Sequence, residues 1–248
     1  MKSEKTPCAV LGSGLIGCDL LVKILKSKYL KCVMFAGQRD DSPGLAFAKD
    51  KAPTSTKSID AILETDAKIV FDATTAESAK RHAKLLKDRL VIDLTPSKVG
   101  AMCIPSLNLQ GALNTKNINL ISCGAQVVIP VIDKIKNLER VEVVTTIASK
   151  AAGIGTRNNI SEYLITTAKA ITAFCHIPAK VILIINPAEP PIPMHNTIYA
   201  KIKNKEKLEI IQFEHYGNGD YLPKYAGNLD SINVKAIQVA EAYAKQSN

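Results

Sequence analysis

The chain has 248 residues, 46% of them hydrophobic and 22% charged, enough for one large or two modest domains with a real core. No apolar run is long enough to span a bilayer, and no N-terminal segment has the charged, apolar and small-residue order of a signal peptide. The net charge is +9, with no tryptophan and only 5% aromatics; this excludes a stacking platform for single-stranded nucleic acid and reads as a solvated basic surface, with attraction to a polyanionic small molecule as the weaker reading.

Cys8 to Leu11 reads as a short apolar strand, and "GSGLIG" follows it. Gly12, Gly14 and Gly17 form GxGxxG directly before the helical spacing of Leu15 to Leu25. Gly12 allows the tight turn, Gly14 lets a pyrophosphate approach the backbone, and Gly17 lets helix and strand pack closely. The helix N-terminus then faces the anion. Lys31 to Ala36 is a second strand. Beyond it, Asp40 or Asp41 suits ribose hydroxyls and Arg39 suits a 2′-phosphate, so NAD and NADP both stay open. Ile69 to Asp72 and Leu90 to Leu94 are further strands, separated by the helix-like stretch Glu77 to Leu86. Asn119 to Ser122 makes one more. Apolar strands alternating with amphipathic helices predict an α/β fold, a Rossmann-like doubly wound parallel sheet.

Cys123 sits where the last of these strands meets an apolar helical pattern. The unpaired N–H groups and dipole of a first helical turn favour thiolate over thiol, and thiolate is the reactive nucleophile. The six cysteines are scattered, with no CxxC pair, which argues against a disulfide framework and structural zinc and points to a reducing cytoplasm. No metal site is expected.

The second half differs. Val141 to Ser149 is a β-branched run, and "SKAAGIGTRNN" (Ser149 to Asn159) is a second glycine loop. Pattern alone favours an ordinary turn there, with Asn159 as helix N-cap. Ile160 to Phe174 reads as an amphipathic helix and Val181 to Ile185 as a strand ended by the prolines of "NPAEPPIP". Thr197 to Ile202 and Leu208 to Glu214 alternate like antiparallel strands. "GNGDYLPKYAGNLD" is turn-rich, and its Asn228 or Asp230 either caps the final helix, Ser231 to Ala244, or reaches the nicotinamide. His195 and His215 read as surface residues. The expected division is a dinucleotide-binding domain over 1–122, a smaller α+β substrate and dimerisation domain over 123–215, and a C-terminal segment, 216–248, whose helix returns to the first domain.

The strings "GSGLIGCDL", "FDATTAESA", "VIDLTPSKVG", "NLISCGAQVVIP", "IASKAAGIGTRNNI", "INPAEPPIPMHNTIY" and "DYLPKYAGNLD" together resemble the acylating acetaldehyde dehydrogenases of bacterial meta-cleavage pathways. They run in family order across nearly the whole chain, which is similar to a shortened and divergent member. The resemblance implies a two-domain enzyme that turns a short aldehyde, NAD and coenzyme A into acyl-CoA and NADH. It carries the nucleophile to Cys123. It carries cofactor contacts to Ser13, Gly14, Leu15 and Ile16, to Ala151, Ala152, Gly153, Ile154, Gly155, Thr156, Arg157, Asn158 and Asn159, and to Asn228. Backbone N–H groups after Cys123, with Gln126, are candidate donors to a developing oxyanion.

The resemblance also implies a homo-oligomer and a partner aldolase. The stretch between Tyr199 and Gly217 is much shorter than in the family, which weighs against the aldolase and against channelling. Asn196 stands where the family has an aspartate that assists proton transfer, and an amide does not titrate usefully. His195 or water then takes over, or acylation is slow, or the substrate differs. Ala151 and Ile154 replace a serine and a proline. Two other readings follow from these departures: an acyl-thioester reductase acting on another acyl group, and a nucleotide-binding homologue that has lost catalysis.

Overall fold

The computed structural model describes residues 4–158 and 160–246. The chain forms two compact units, one comprising the residues up to Leu120 together with those from Asn233 onward, the other Ile121–Ile232.

The first unit opens with β1 (Thr6–Leu11), α1 (Leu15–Lys26), β2 (Leu30–Ala36), α2 (Pro43–Ala48), β3 (Thr54–Ser55) and α3 (Ile59–Leu63). It continues with β4 (Ile69–Asp72), α4 (Ala76–Leu85), β5 (Leu90–Asp93), β6 (Ala101–Met102), α5 (Pro105–Ala112) and β7 (Asn117–Asn119). The strands make one parallel sheet in the order β3-β2-β1-β4-β5-β7-β6. β4 and β5 are buried along their whole length. Strands covered on both faces read as unbroken apolar runs, which is why "IVF" and "LVI" carry no alternation. Strand order reverses between β1 and β4, the place where doubly wound sheets hold their ligands.

Two buried carboxylates end neighbouring strands, Asp72 on β4 in register with Asp93 on β5. Asp72 Oδ2 lies 2.7 Å from His82 Nδ1, and its other oxygen accepts the Thr74 N–H at 3.1 Å. Asp93 accepts from the Thr95 N–H at 2.7 Å, from Asn119 Nδ2 at 2.9 Å and from the Ser97 hydroxyl. Each carboxylate thereby fixes the loop that follows its strand.

β7 overlaps the expected strand Asn119 to Ser122 only at Asn119, because it begins two residues earlier and ends there. The chain leaves the extended conformation at Ile121, whose φ is +69°. A β-branched residue there is strained, and such strain persists where surrounding structure enforces it.

The second unit holds α6 (Cys123–Ile132), β8 (Leu138–Ala148), α7 (Ile154–Asn158), α8 (Ile160–Cys175), β9 (Ala179–Asn186), β10 (Met194–Ile202) and β11 (Glu209–His215). Its four strands form a mixed sheet in the order β11-β10-β8-β9. The β10–β11 and β10–β8 pairs are antiparallel, whereas β8–β9 is parallel, with α8 as the connection. The final helix, α9 (Gly227–Gln246), begins before the expected Ser231, so Asn228 and Asp230 lie within its first turn. From Asn233 onward it belongs to the first unit. There Asn233 Nδ2 donates to Asp19 Oδ2 at 2.7 Å and to the Ile16 carbonyl at 3.2 Å, and Ser27 donates to Glu241 at 2.6 Å. No helix of the described residues is long and apolar enough to cross a membrane.

Candidate active site

In the first unit the glycine turn follows β1 as the sequence requires. Gly12 has φ +111°, and a Cβ there would stand 2.5 Å from the Ala73 carbonyl oxygen. A Cβ on Gly17 would stand 1.9 Å from the Gly12 carbonyl oxygen. Gly17 therefore lets α1 pack against the turn, and Gly12 lets the turn pass the backbone that follows β4. Gly14 is different: a Cβ there would meet nothing within 4 Å. Gly14 is the N-cap of α1, which has no side-chain cap and no acidic residue in its first turn. The turn thus offers Leu15 and Ile16 in an uncapped first helical turn beside open space, which fits a pyrophosphate.

Ser13 is fixed from the side, its hydroxyl 2.7 Å from the Ser42 hydroxyl. A Cβ on Gly44 would stand 1.9 Å from the Ser13 carbonyl oxygen, so the start of α2 presses on the turn. Ser42 and Gly44 escaped sequence reading because their contact with Ser13 is long-range. Arg39 Nε pairs with Asp41 Oδ1 at 3.2 Å, both well exposed, so the two rival readings of the cofactor's ribose fall on one surface ion pair.

In the second unit Cys123 is the first residue of α6. Ser122 caps the helix, its hydroxyl accepting the Ala125 N–H at 3.0 Å. That serine before an apolar helical run was a readable cap signal. Cys123 is partly exposed. Burial pushes its thiol up to about 11, against the downward pull of the Gly124 and Cys123 N–H groups and of the Asn228 side chain. The helix start alone does not make this sulfur a thiolate at neutral pH, because loss of water around it outweighs the donors aimed at it.

Asn228 is fully buried, donating from Nδ2 to the Ala151 carbonyl at 3.1 Å, while its Oδ1 has no partner. The glycine loop that supplies Ala151 is held from within. Arg157 folds back, with Nε on the Ala152 carbonyl at 3.0 Å and Nη2 on Ser149 Oγ at 2.8 Å. Ala151 and Ala152 are buried, Gly153 and Thr156 are partly exposed, and Arg157 and Asn158 are exposed. Ile154 and Gly155 lie in α7. Asn159, expected both as a cofactor contact and as an N-cap, lies outside the described residues.

Gln126 is buried three residues after Cys123, on the same side of α6. Asn196 is buried on β10, its Oδ1 accepting from Thr145 Oγ1 at 2.9 Å and its Nδ2 without a partner. His195 points to the other face of the strand, half-exposed and 3.4 Å from Glu214. The period of two separates it from Asn196, so it cannot stand in for the missing acid on that face. Sequence reading missed Tyr163 and Thr167 of α8. Thr167 Oγ1 lies 2.7 Å from the capping Ser122 hydroxyl, and Tyr163 packs on Gly124.

The doubly wound sheet and its glycine turn define an α/β protein of the Rossmann class, joined here to a smaller unit that carries a cysteine at a helix start. Residues 123–223 match the family model described as prokaryotic acetaldehyde dehydrogenase, dimerisation. The chain is 40% identical to the acetaldehyde dehydrogenase of Carboxydothermus hydrogenoformans, with 98% of this chain and 95% of that protein covered. It is 41% identical to that of Geobacillus stearothermophilus, with 98% and 97% covered. Its fold is similar to that of a probable aspartate-semialdehyde dehydrogenase from Pseudomonas aeruginosa, with a TM-score of 0.65 at 10% identity over 99% of this chain and 100% of that one. The chain belongs to the acetaldehyde dehydrogenase family, and it is an oxidoreductase.

Proposed function

We propose that this chain is a CoA-acylating aldehyde dehydrogenase that oxidises a short, acetaldehyde-like substrate through a thioester on Cys123. The observation that carries the reading is the set of donors on the Cys123 sulfur, two backbone N–H groups and the Asn228 side chain, in a chain 40% identical to acetaldehyde dehydrogenases. The turn Gly12, Ser13, Gly14, Leu15, Ile16 and Gly17 would hold the pyrophosphate of NAD, with Asn228 and the loop from Ala151 as further contacts. The bound nicotinamide supplies the acceptor for a hydride.

Cys123 Sγ gives up its proton to solvent water and, as thiolate, forms a bond to the aldehyde carbonyl carbon, while the carbonyl π pair moves to oxygen. In this reading the Cys123 and Gly124 N–H groups, which face the sulfur, and the Gln126 side chain would stabilise that oxygen's charge. When the carbonyl re-forms, hydride leaves the carbon and a thioester stays on Cys123. Coenzyme A thiolate then adds to the acyl carbon and the cysteine thiolate departs, giving acyl-CoA. The match of residues 123–223 to the family's dimerisation region supports a homodimer.

The test is NADH formation from acetaldehyde, NAD and coenzyme A, with each component omitted in turn, and intact-mass analysis after incubation with acetyl-CoA. Turnover that needs all three components, an acetyl adduct on the wild-type chain and loss of both in Cys123→Ala are expected. Undiminished turnover by Cys123→Ala would overturn the mechanism.

A further inference from the structure

The turn that carries Cys123 is gripped from one side by α8, and the grip ends in a hydroxyl with nothing to bond. Tyr163 and Thr167 lie one helical turn apart on α8 and share a face. Thr167 Oγ1 donates to the Tyr163 carbonyl at 2.7 Å and meets the Ser122 hydroxyl at 2.7 Å. Tyr163 reaches the next residue along. A Cβ on Gly124 would stand 2.0 Å from the Tyr163 hydroxyl oxygen and 3.0 Å from Cζ. The phenol therefore occupies the space that glycine leaves directly after the nucleophile.

Tyr163 is 7% exposed, and its hydroxyl is buried without a hydrogen-bond partner. It lies near Thr145 without reaching hydrogen-bond geometry. Thr145 spends its own hydrogen on Asn196 Oδ1, and Asn196 Nδ2 is likewise unpartnered. Buried polar groups are almost always paired, so two orphans linked through one threonine beside the nucleophile call for a role. The phenol is pushed well above its ordinary range, first by burial and then by negative charge on Cys123. It keeps its proton at neutral pH and is a donor, not a base.

We propose that the Tyr163 hydroxyl donates a hydrogen bond to negative charge on Cys123, holding the thiolate in a site where Asn196 supplies no acid. This rests on the reading of Cys123 as the nucleophile. No proton changes owner: the phenolic O–H bond stays intact while the charge sits on sulfur, and the bond is released when sulfur is acylated. Tyr163 also explains the glycine at 124, since any side chain there displaces the hydroxyl.

Tyr163→Phe keeps the ring and removes one oxygen. The rate of Cys123 alkylation by iodoacetamide, followed by mass against pH, reads the thiolate directly and needs neither aldehyde nor coenzyme A. A hydrogen bond to a charged group implies that alkylation of the variant at pH 8 falls about tenfold or more and that its profile moves to higher pH. A folded Tyr163→Phe chain with the wild-type profile overturns the proposal. Thr167→Val is the control for general loosening of α8: it removes the Ser122 contact but leaves the phenol, and an equal shift in both variants also overturns it. If the wild type fails to oxidise acetaldehyde while Tyr163→Phe still shifts the profile, the substrate reading fails and the role of Tyr163 stands.

Discussion

Gly17 and Gly14 lie three residues apart in one motif, and the structure assigns them opposite consequences. In Gly17→Ala the new Cβ is placed 1.9 Å from the Gly12 carbonyl oxygen, so α1 must move off the turn by more than an ångström. Overpacking of this kind costs roughly 1–3 kcal/mol or more, and alanine in a helix returns about 1 kcal/mol over glycine. A net loss of about 1–2 kcal/mol, toward the upper end because the clash is with backbone, lowers the melting temperature of a chain this size by roughly 2–8 °C. In Gly14→Ala the Cβ meets nothing within 4 Å, and the N-cap already has extended backbone, φ −82° and ψ −171°. Stability then changes by less than about 1 kcal/mol, whereas a dinucleotide approaching the backbone meets a methyl group. Thermal melts by circular dichroism and NADH titration by fluorescence check both arms. Gly17→Ala melting at or above the wild-type temperature would refute the packing argument, and unchanged NADH affinity in Gly14→Ala would refute the cradle.

Two further outcomes follow from the same geometry. Burial raises the Asp93 carboxyl from 3.8 to about 6, with Asp72 adding to the rise, against donors from Ser97 and Thr95. A raised carboxyl favours the folded state while protonated, so its contribution is full below about pH 4 and lost as pH climbs through 6, a decline of about 3 kcal/mol. Urea melts across pH 4–7 should show this decline in the wild type and not in Asp93→Asn; parallel curves would mean that the donors outweigh burial. Gly124→Ala should destabilise by about 1–3 kcal/mol. In the Tyr163→Phe background, where the nearest ring atom is 3.0 Å away, the cost should shrink by about 1 kcal/mol or more, and additive effects in the double-mutant cycle would count against the contact.

Much of the architecture was legible because it is local. The unbroken apolar runs at Ile69–Asp72 and Leu90–Asp93, the glycine turn after β1 and the helical spacing of α8 are each written in a few consecutive residues. The antiparallel pairing of β10 and β11 was readable from alternation. Where reading failed, backbone or neighbours intervened. Ile121 bends the chain before Ser122, so β7 stops early. α9 starts at Gly227, sooner than Ser231, and Asn228 in its first turn is held by Ala151, a contact between distant stretches of chain.

The amino-acid order alone determined that Cys123 opens a helix and that a glycine turn precedes α1, because these depend on a few consecutive side chains. Tertiary structure decided how that sulfur titrates, that Asn196 and His195 face opposite ways, and that a tyrosine from α8 rests on Gly124. These depend on which distant groups exclude water and which offer a hydrogen, and only a formed core brings those groups together.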